Sequence, residues 1–159
     1  MAEGILRKDG AGRFNAISAR STPKGRDNPM AIKVLESFDY PAQGYRSKDW
    51  DEFAKPDAPA MDFLFTVCDN AAGEACPVWP GQPMTTHWGI EDPAVEGPDI
   101  EKERAFVQAF KFLKNRISVF MALPMASLDQ VALTHHLCEI GRLEGATPAA
   151  VLLFDRRST

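Results

Sequence analysis

The run DFLFTV, residues 62–67, constrains this chain more than any other stretch. Its apolar residues are nearly continuous and do not alternate, a pattern that suits a strand in a parallel sheet covered on both faces. Parallel strands need crossovers, so helices must flank it. The sequence supplies them. Asn28 as N-cap and Pro29 at the first helical position open a helix over 29–38, with Met30, Val34, Leu35 and Phe38 as its apolar face. Asp99, with Glu101 and Glu103 in the first turn, opens the longest helix, where Phe106, Phe110, Leu113, Ile117 and Phe120 recur every three to four residues. Residues 1–8 read as a helix closed by Gly-Ala-Gly at 10–12, FNAIS (14–18) and TTHWGI (85–90) as short strands, and Ser47 as the cap of a short helix bearing Trp50 and Phe53. Residues 127–141 predict a last short helix ended by Gly141, and 142–159 receive no assignment. Strands alternating with helices predict an α/β domain with a mainly parallel sheet.

Length and charge bound what such a domain does. At 159 residues, 45% hydrophobic and 25% charged, the chain suits one folded domain and argues against disorder. A net charge of −4, with scattered basic residues, leaves no footprint for nucleic acid or an anionic membrane surface. No apolar run approaches the ~18–20 residues that span a bilayer, and MAEGILRKDG lacks the apolar core of a signal peptide. The expected location is cytoplasmic, with no membrane and no nucleic acid among the partners.

In a reducing compartment a cysteine pair is more readily a metal or redox element than a static staple. Cys68 ends the apolar strand, and Cys76 follows beyond a small, acidic loop in TVCDNAAGEACPVWPG, residues 66–81. A zinc site would need two further ligands, and the two-to-four-residue gap usual within a zinc knuckle is missing; no metal site is expected. Two unrelated thiols are the plain reading. A redox pair is the third, because the glycine and small residues between the sulfurs make remodelling cheap, and exchange proceeds by thiolate attack on an existing disulfide. Cys138 lies in an apolar helical pattern and reads as a small buried hydrophobe. Asp92, in HWGIEDP, is a candidate proton donor if burial raises its pKa, although Asp-Pro is also a common turn. His87 and Trp88 read as packing and hydrogen-bonding residues that fix that loop.

Taken in order, MAEGILR, AISARSTPKG, TVCDNAAGEACPVWPG and HWGIEDP resemble the thioredoxin-coupled arsenate reductases of the low-molecular-weight tyrosine phosphatase family, over residues 1 to about 121. The resemblance implies a four-stranded parallel sheet with helices on both faces, as a phosphatase-like domain over 1–121 followed by a C-terminal helix and tail over 122–159. It also implies a mechanism. A first cysteine on a Cys-x5-Arg loop attacks arsenate, an arginine holds the oxyanion, and an aspartate protonates the leaving oxygen. A second cysteine releases arsenite by forming a disulfide with the first. A third attacks that bond, leaving an oxidised pair for thioredoxin or a similar thiol reductant, with no bound cofactor. Cys68 matches the second cysteine, Cys76 the third and Asp92 the acid.

The Cys68–Cys76 gap is one residue longer than in the best-known members of that type, and Ser18-Ala19-Arg20 stands where the family has a Ser-Ala-Gly turn. A lost glycine there is expected to strain the backbone if that position is left-handed. In the family the nucleophile's loop immediately precedes the Met-Ala-Glu that opens the first helix. This sequence starts at that methionine, and no Cys-x5-Arg occurs within it. The expectation is that the first strand and the oxyanion loop are missing, and that the oxyanion-binding residues lie outside these 159. Two other readings stand beside the reductase: a tyrosine phosphatase of the same fold, for which Cys68 and Cys76 have no use, and a non-catalytic redox or binding remnant.

Overall fold

The computed structural model describes residues 1–22, 25–69 and 79–155, with side chains through residue 151; Cys76 and the rest of 70–78 lie outside the described residues. The elements in chain order are α1 (Ala2–Asp9), α2 (Pro29–Ser37), a 3-10 turn at Trp50–Phe53, β1 (Phe63–Thr66), β2 (Met84–His87), α3 (Asp99–Ala122), α4 (Gln130–Gly141) and α5 (Pro148–Asp155). They fall into two compact units. One comprises Met1–Asp49 with Asp92–Met121, the other Trp50–Glu91 with Ala122–Thr159.

The first unit is helical. Asn28 caps α2 as its position before Pro29 predicts, its side chain accepting the Met30 N–H at 2.9 Å. The apolar spacing of α3 buries Phe106, Phe110, Leu113, Ile117 and Phe120, all at or below 5% exposure. Phe110 stacks on Phe38 with ring centroids 4.3 Å apart, and Phe14 meets Phe120 at 5.2 Å. Arg116 is fully buried on the same helix; burial lowers its pKa, and its guanidinium donates to the Phe112 carbonyl at 3.4 Å.

Residues 14–18 do not form the expected strand; they run as irregular chain. The reason lies in Glu3, whose side chain is 3% exposed. Its carboxylate takes the backbone N–H of Ser18 at 3.0 Å and the Ser18 hydroxyl at 2.5 Å, so the donor a strand would give to a neighbour is spent on a side chain. Lys48 Nζ lies 3.2 Å from the same oxygen and also donates to the carbonyls of Ser18 and Arg46. Among the described residues of this segment, pairing resumes as a single parallel bridge between Arg20 and Asp49, with the Arg20 N–H on the Lys48 carbonyl at 2.9 Å. The strain expected from the missing glycine is not found: among described non-glycine residues only Asp39 and Gln82 have positive φ, so Arg20 occupies a conformation open to any residue.

The second unit carries the sheet. β1 and β2 are parallel and in register from Phe63 opposite Met84 to Thr66 opposite His87. Pairing continues past β2, with the Trp88 N–H on the Thr66 carbonyl at 2.8 Å and the Ile90 N–H on that of Val67 at 3.1 Å. The parallel pairing agrees with the reading of 62–67, but its deep burial does not: every residue of β1 is only half-buried. Two strands are found among the described residues, so a continuous apolar run does not here mean full cover on both faces.

The helix expected over 127–141 starts at Gln130, because the Asp129 side chain accepts the Ala132 N–H at 2.8 Å and sets the cap there. The unassigned tail contains α5, begun by Thr147 and Pro148: the Thr147 hydroxyl accepts the Ala150 N–H at 3.4 Å and its carbonyl the Val151 N–H at 3.3 Å.

Candidate active site

Parallel sheets gather chemistry where strands run out into loops. Cys68 stands two residues beyond the end of β1, half-buried and with a free thiol. The backbone leading to it is fixed by the continued ladder at Thr66 and Val67, so the strand delivers the sulfur to a defined place.

The side chains at that strand end form one hydrogen-bonded cluster. His87 pairs across the register with Thr66, its Nδ1 lying 2.8 Å from the Thr66 hydroxyl, while its Nε2 lies 3.0 Å from Asp69 Oδ1. An ionised carboxylate only accepts, so Nε2 carries the donated proton; in the neutral ring Nδ1 then accepts from Thr66. The Thr147 hydroxyl donates to the same Asp69 oxygen at 2.6 Å, and the Thr147 N–H donates to the Gly89 carbonyl at 3.1 Å. The His87 side chain is 6% exposed and that of Asp69 42%, so an enclosed imidazole is tied to a carboxylate at the water boundary.

Two glycines make the cluster possible. A Cβ on Gly89 would fall 2.5 Å from Thr147 Oγ1 and 2.7 Å from Asp69 Oδ1, and against His87 Nε2. At Gly141 it would stand 2.5 Å from the His87 carbonyl, so α4 lies directly on the backbone of β2 only because that residue has no side chain. Trp88 closes the strand end from the other side. It is 2% exposed, stacks on Phe65 with centroids 3.9 Å apart, and donates its indole N–H to the Leu137 carbonyl at 2.9 Å. His87 and Trp88 therefore pack and hydrogen-bond, as their sequence context implies, with their partners at the strand end and on α4.

The other sequence candidates behave differently. Asp92 is exposed, and its side chain accepts the Ala94 N–H at 2.9 Å, an Asx turn across Pro93. The burial expected of it is not found: this hydrogen bond holds the carboxylate in a surface turn. Asp92 belongs to the first unit and Cys68 to the second. Cys138 is half-buried rather than fully buried, and accepts a long hydrogen bond from the Thr86 hydroxyl at 3.7 Å; the hydroxyl that β2 turns toward α4 gives the thiol a polar neighbour. Cys76 lies outside the described residues. No group of three or more His, Cys, Asp or Glu side chains that could hold a metal ion occurs among the described residues.

The reading of the sequence missed Asp69 and Thr147. Asp69 carries a weak signal, as the polar residue directly after a strand-end cysteine. Thr147 carries none beyond the Thr-Pro that starts a helix, since the contact joins residues 78 positions apart.

A model of the low-molecular-weight phosphotyrosine protein phosphatases matches residues 1–131, a span that includes Cys68, Cys76 and Asp92. An arsenate reductase of Oceanobacillus iheyensis is 34% identical over 121 residues, 76% of this chain and 84% of that protein. One from Halalkalibacterium halodurans is 31% identical and one from Bacillus subtilis 29% identical, with the same coverage. With the family model spanning more than four-fifths of the sequence and a parallel α/β strand end bearing the cysteine, the chain belongs to the low-molecular-weight phosphotyrosine protein phosphatase family, and within it resembles the arsenate reductases.

Proposed function

We propose that this protein is an arsenate reductase that uses Cys68 and Cys76 as the second and third thiols of a disulfide relay and Asp92 as the proton donor. The observation that carries the reading is the likeness to proteins named arsenate reductase over 121 residues, in a chain that also keeps two cysteines a phosphatase does not need. The relay balances. Arsenate, bound as a thioester to a first cysteine, takes up two electrons when the Cys68 thiolate attacks that cysteine's sulfur; arsenite departs and a disulfide remains. The Cys76 thiolate then attacks Cys68, freeing the first cysteine as a thiolate, and the Cys68–Cys76 disulfide is reduced by an external dithiol of the thioredoxin type. Asp92 supplies the proton for the oxygen that leaves arsenic.

The domain bearing this chemistry is residues 1–121, with 122–159 as its C-terminal addition. No helix among the described residues is long and apolar enough to cross a membrane; in this reading the enzyme works in the cytoplasm, and neither membrane nor nucleic acid is among its partners. These 159 residues contain no Cys-x5-Arg, and that observation favours a second reading, a non-catalytic redox or binding protein. The test uses residues 1–159 alone and the same chain extended at its N-terminus by the first strand and Cys-x5-Arg loop of a related arsenate reductase. With thioredoxin, thioredoxin reductase and NADPH, arsenate-dependent NADPH oxidation is expected only from the extended chain, and Cys68→Ser and Cys76→Ser each stop turnover after at most one equivalent. Hydrolysis of p-nitrophenyl phosphate without arsenate reduction assigns a phosphatase instead. Inactivity of both chains toward both substrates leaves the non-catalytic reading.

A further inference from the structure

We infer that Thr147, acting through Asp69, is a positioning residue for Cys68, so that the C-terminal region of this chain restrains its reactive strand end. The inference rests on the reading of Cys68 as a reactive thiol, and its observations are independent of substrate. Asp69 is the residue next to Cys68, and its Oδ1 is held by two donors, Thr147 at 2.6 Å and His87 at 3.0 Å. The Thr147 hydroxyl has one proton, and Ala150 N–H approaches the same oxygen as a donor, so that proton goes to Asp69. Thr147 is 7% exposed, and its own N–H is tied to Gly89, two residues beyond His87. The threonine therefore grips both strand-end segments at once, one by its side chain and the other by its backbone. Gly89 leaves the space where these groups meet, since a Cβ there would collide with all three side chains.

Thr147 lies beyond the 1–131 span that the family model matches. The restraint is thus supplied by a part of this chain that the family pattern does not describe. Cys68 is half-buried, so a reagent reaches its thiol faster when the strand end opens; removing a bond that the closed form makes raises the open population in proportion. A buried hydrogen bond to a charged acceptor corresponds to a change of more than about tenfold in that population; the Asp69 side chain is 42% exposed, and solvent screening reduces the expected change to roughly fivefold to tenfold.

The experiment measures alkylation of Cys68 by iodoacetamide in the full chain carrying Cys76→Ser and Cys138→Ser. Thr147→Val, which keeps the shape and loses the hydroxyl, is expected to raise the rate roughly fivefold to tenfold, and Thr147→Ser to stay within about twofold of the parent. Cys138, measured in a Cys68→Ser, Cys76→Ser chain, is expected to be insensitive to Thr147→Val. An unchanged rate in Thr147→Val, an equal rise in Thr147→Ser, or a parallel rise at Cys138 overturns the inference. Should Thr147→Val not fold, Asp69→Asn decides it: the amide keeps an acceptor but loses the charge, and a Cys68 rate unaltered from the parent refutes the restraint. Because alkylation needs no arsenate, these outcomes stand apart from the fate of the relay.

Discussion

Glu3→Gln tests how the first unit is held together. The Glu3 carboxylate is 3% exposed and accepts from the Ser18 N–H, the Ser18 hydroxyl and Lys48, with Arg7 Nε a further 3.6 Å away. The amide keeps one accepting oxygen, so Ser18 retains a partner, but charge-assisted bonds of about 1.5–3 kcal/mol fall to neutral ones of about 0.5–1.5 kcal/mol. The amide NH2 must then face a cation. Removing one partner of a buried pair costs about 3–5 kcal/mol when the other charge is stranded. Lys48 is not fully stranded, because its side chain is 11% exposed and it keeps the Ser18 and Arg46 carbonyls, so about 2–3 kcal/mol is expected. With an m-value of about 2 kcal/mol/M, the urea midpoint should fall by about 1–1.5 M. Adding Lys48→Met removes the second charge, and the double variant should recover at least half of that loss, since replacing both partners costs less than orphaning one. A midpoint that shifts by less than about 0.3 M, or a double variant less stable than Glu3→Gln, would refute the claim that a buried charge cluster takes the place of a strand at 14–18.

Lys114 gives the pH dependence. Burial lowers its pKa, but hydrogen bonds to Asp9 and Tyr40 outweigh that and raise it above 10.5. A raised folded-state pKa contributes stability that is complete below the unfolded value and is lost as the pH climbs through the folded one; thermal unfolding followed from pH 9 to 12 should show a decline that Lys114→Met reduces. Gly141→Ala should destabilise the second unit by about 1–3 kcal/mol, because its methyl must displace the His87 carbonyl from α4, and chemical denaturation measures this. In the extended, active chain, Asp92→Asn should lower kcat for arsenate by roughly 100-fold while leaving the unfolding midpoint within a degree or two, as expected for a general acid in a surface turn. Cys138→Ser should leave multiple turnovers intact in the coupled assay, since its sulfur accepts from the Thr86 hydroxyl and has no part in the proposed relay.

What could be read from the sequence is what short-range chemistry decides. The Asn28–Pro29 start, the apolar period of α3 and the existence of β1 and β2 all follow from residues within a few turns of one another. The family resemblance was also legible, because its motifs are contiguous. What tertiary structure alone decided are the contacts that join distant residues. FNAIS has the composition of a strand, yet Glu3, fifteen residues away from Ser18, captures the donor that a strand would have used. DFLFTV has the composition of a buried strand, yet the depth to which a strand is covered depends on its neighbours, and here β1 stays half-buried. Asp92 sits in the turn its Asp-Pro dipeptide favours, but no local pattern reports whether a turn lies in the core or at the surface. Thr147 is the clearest case. Its hydroxyl would cap α5 in any context, and only the folding of the C-terminal helices onto the end of the sheet brings it against Asp69, beside the cysteine.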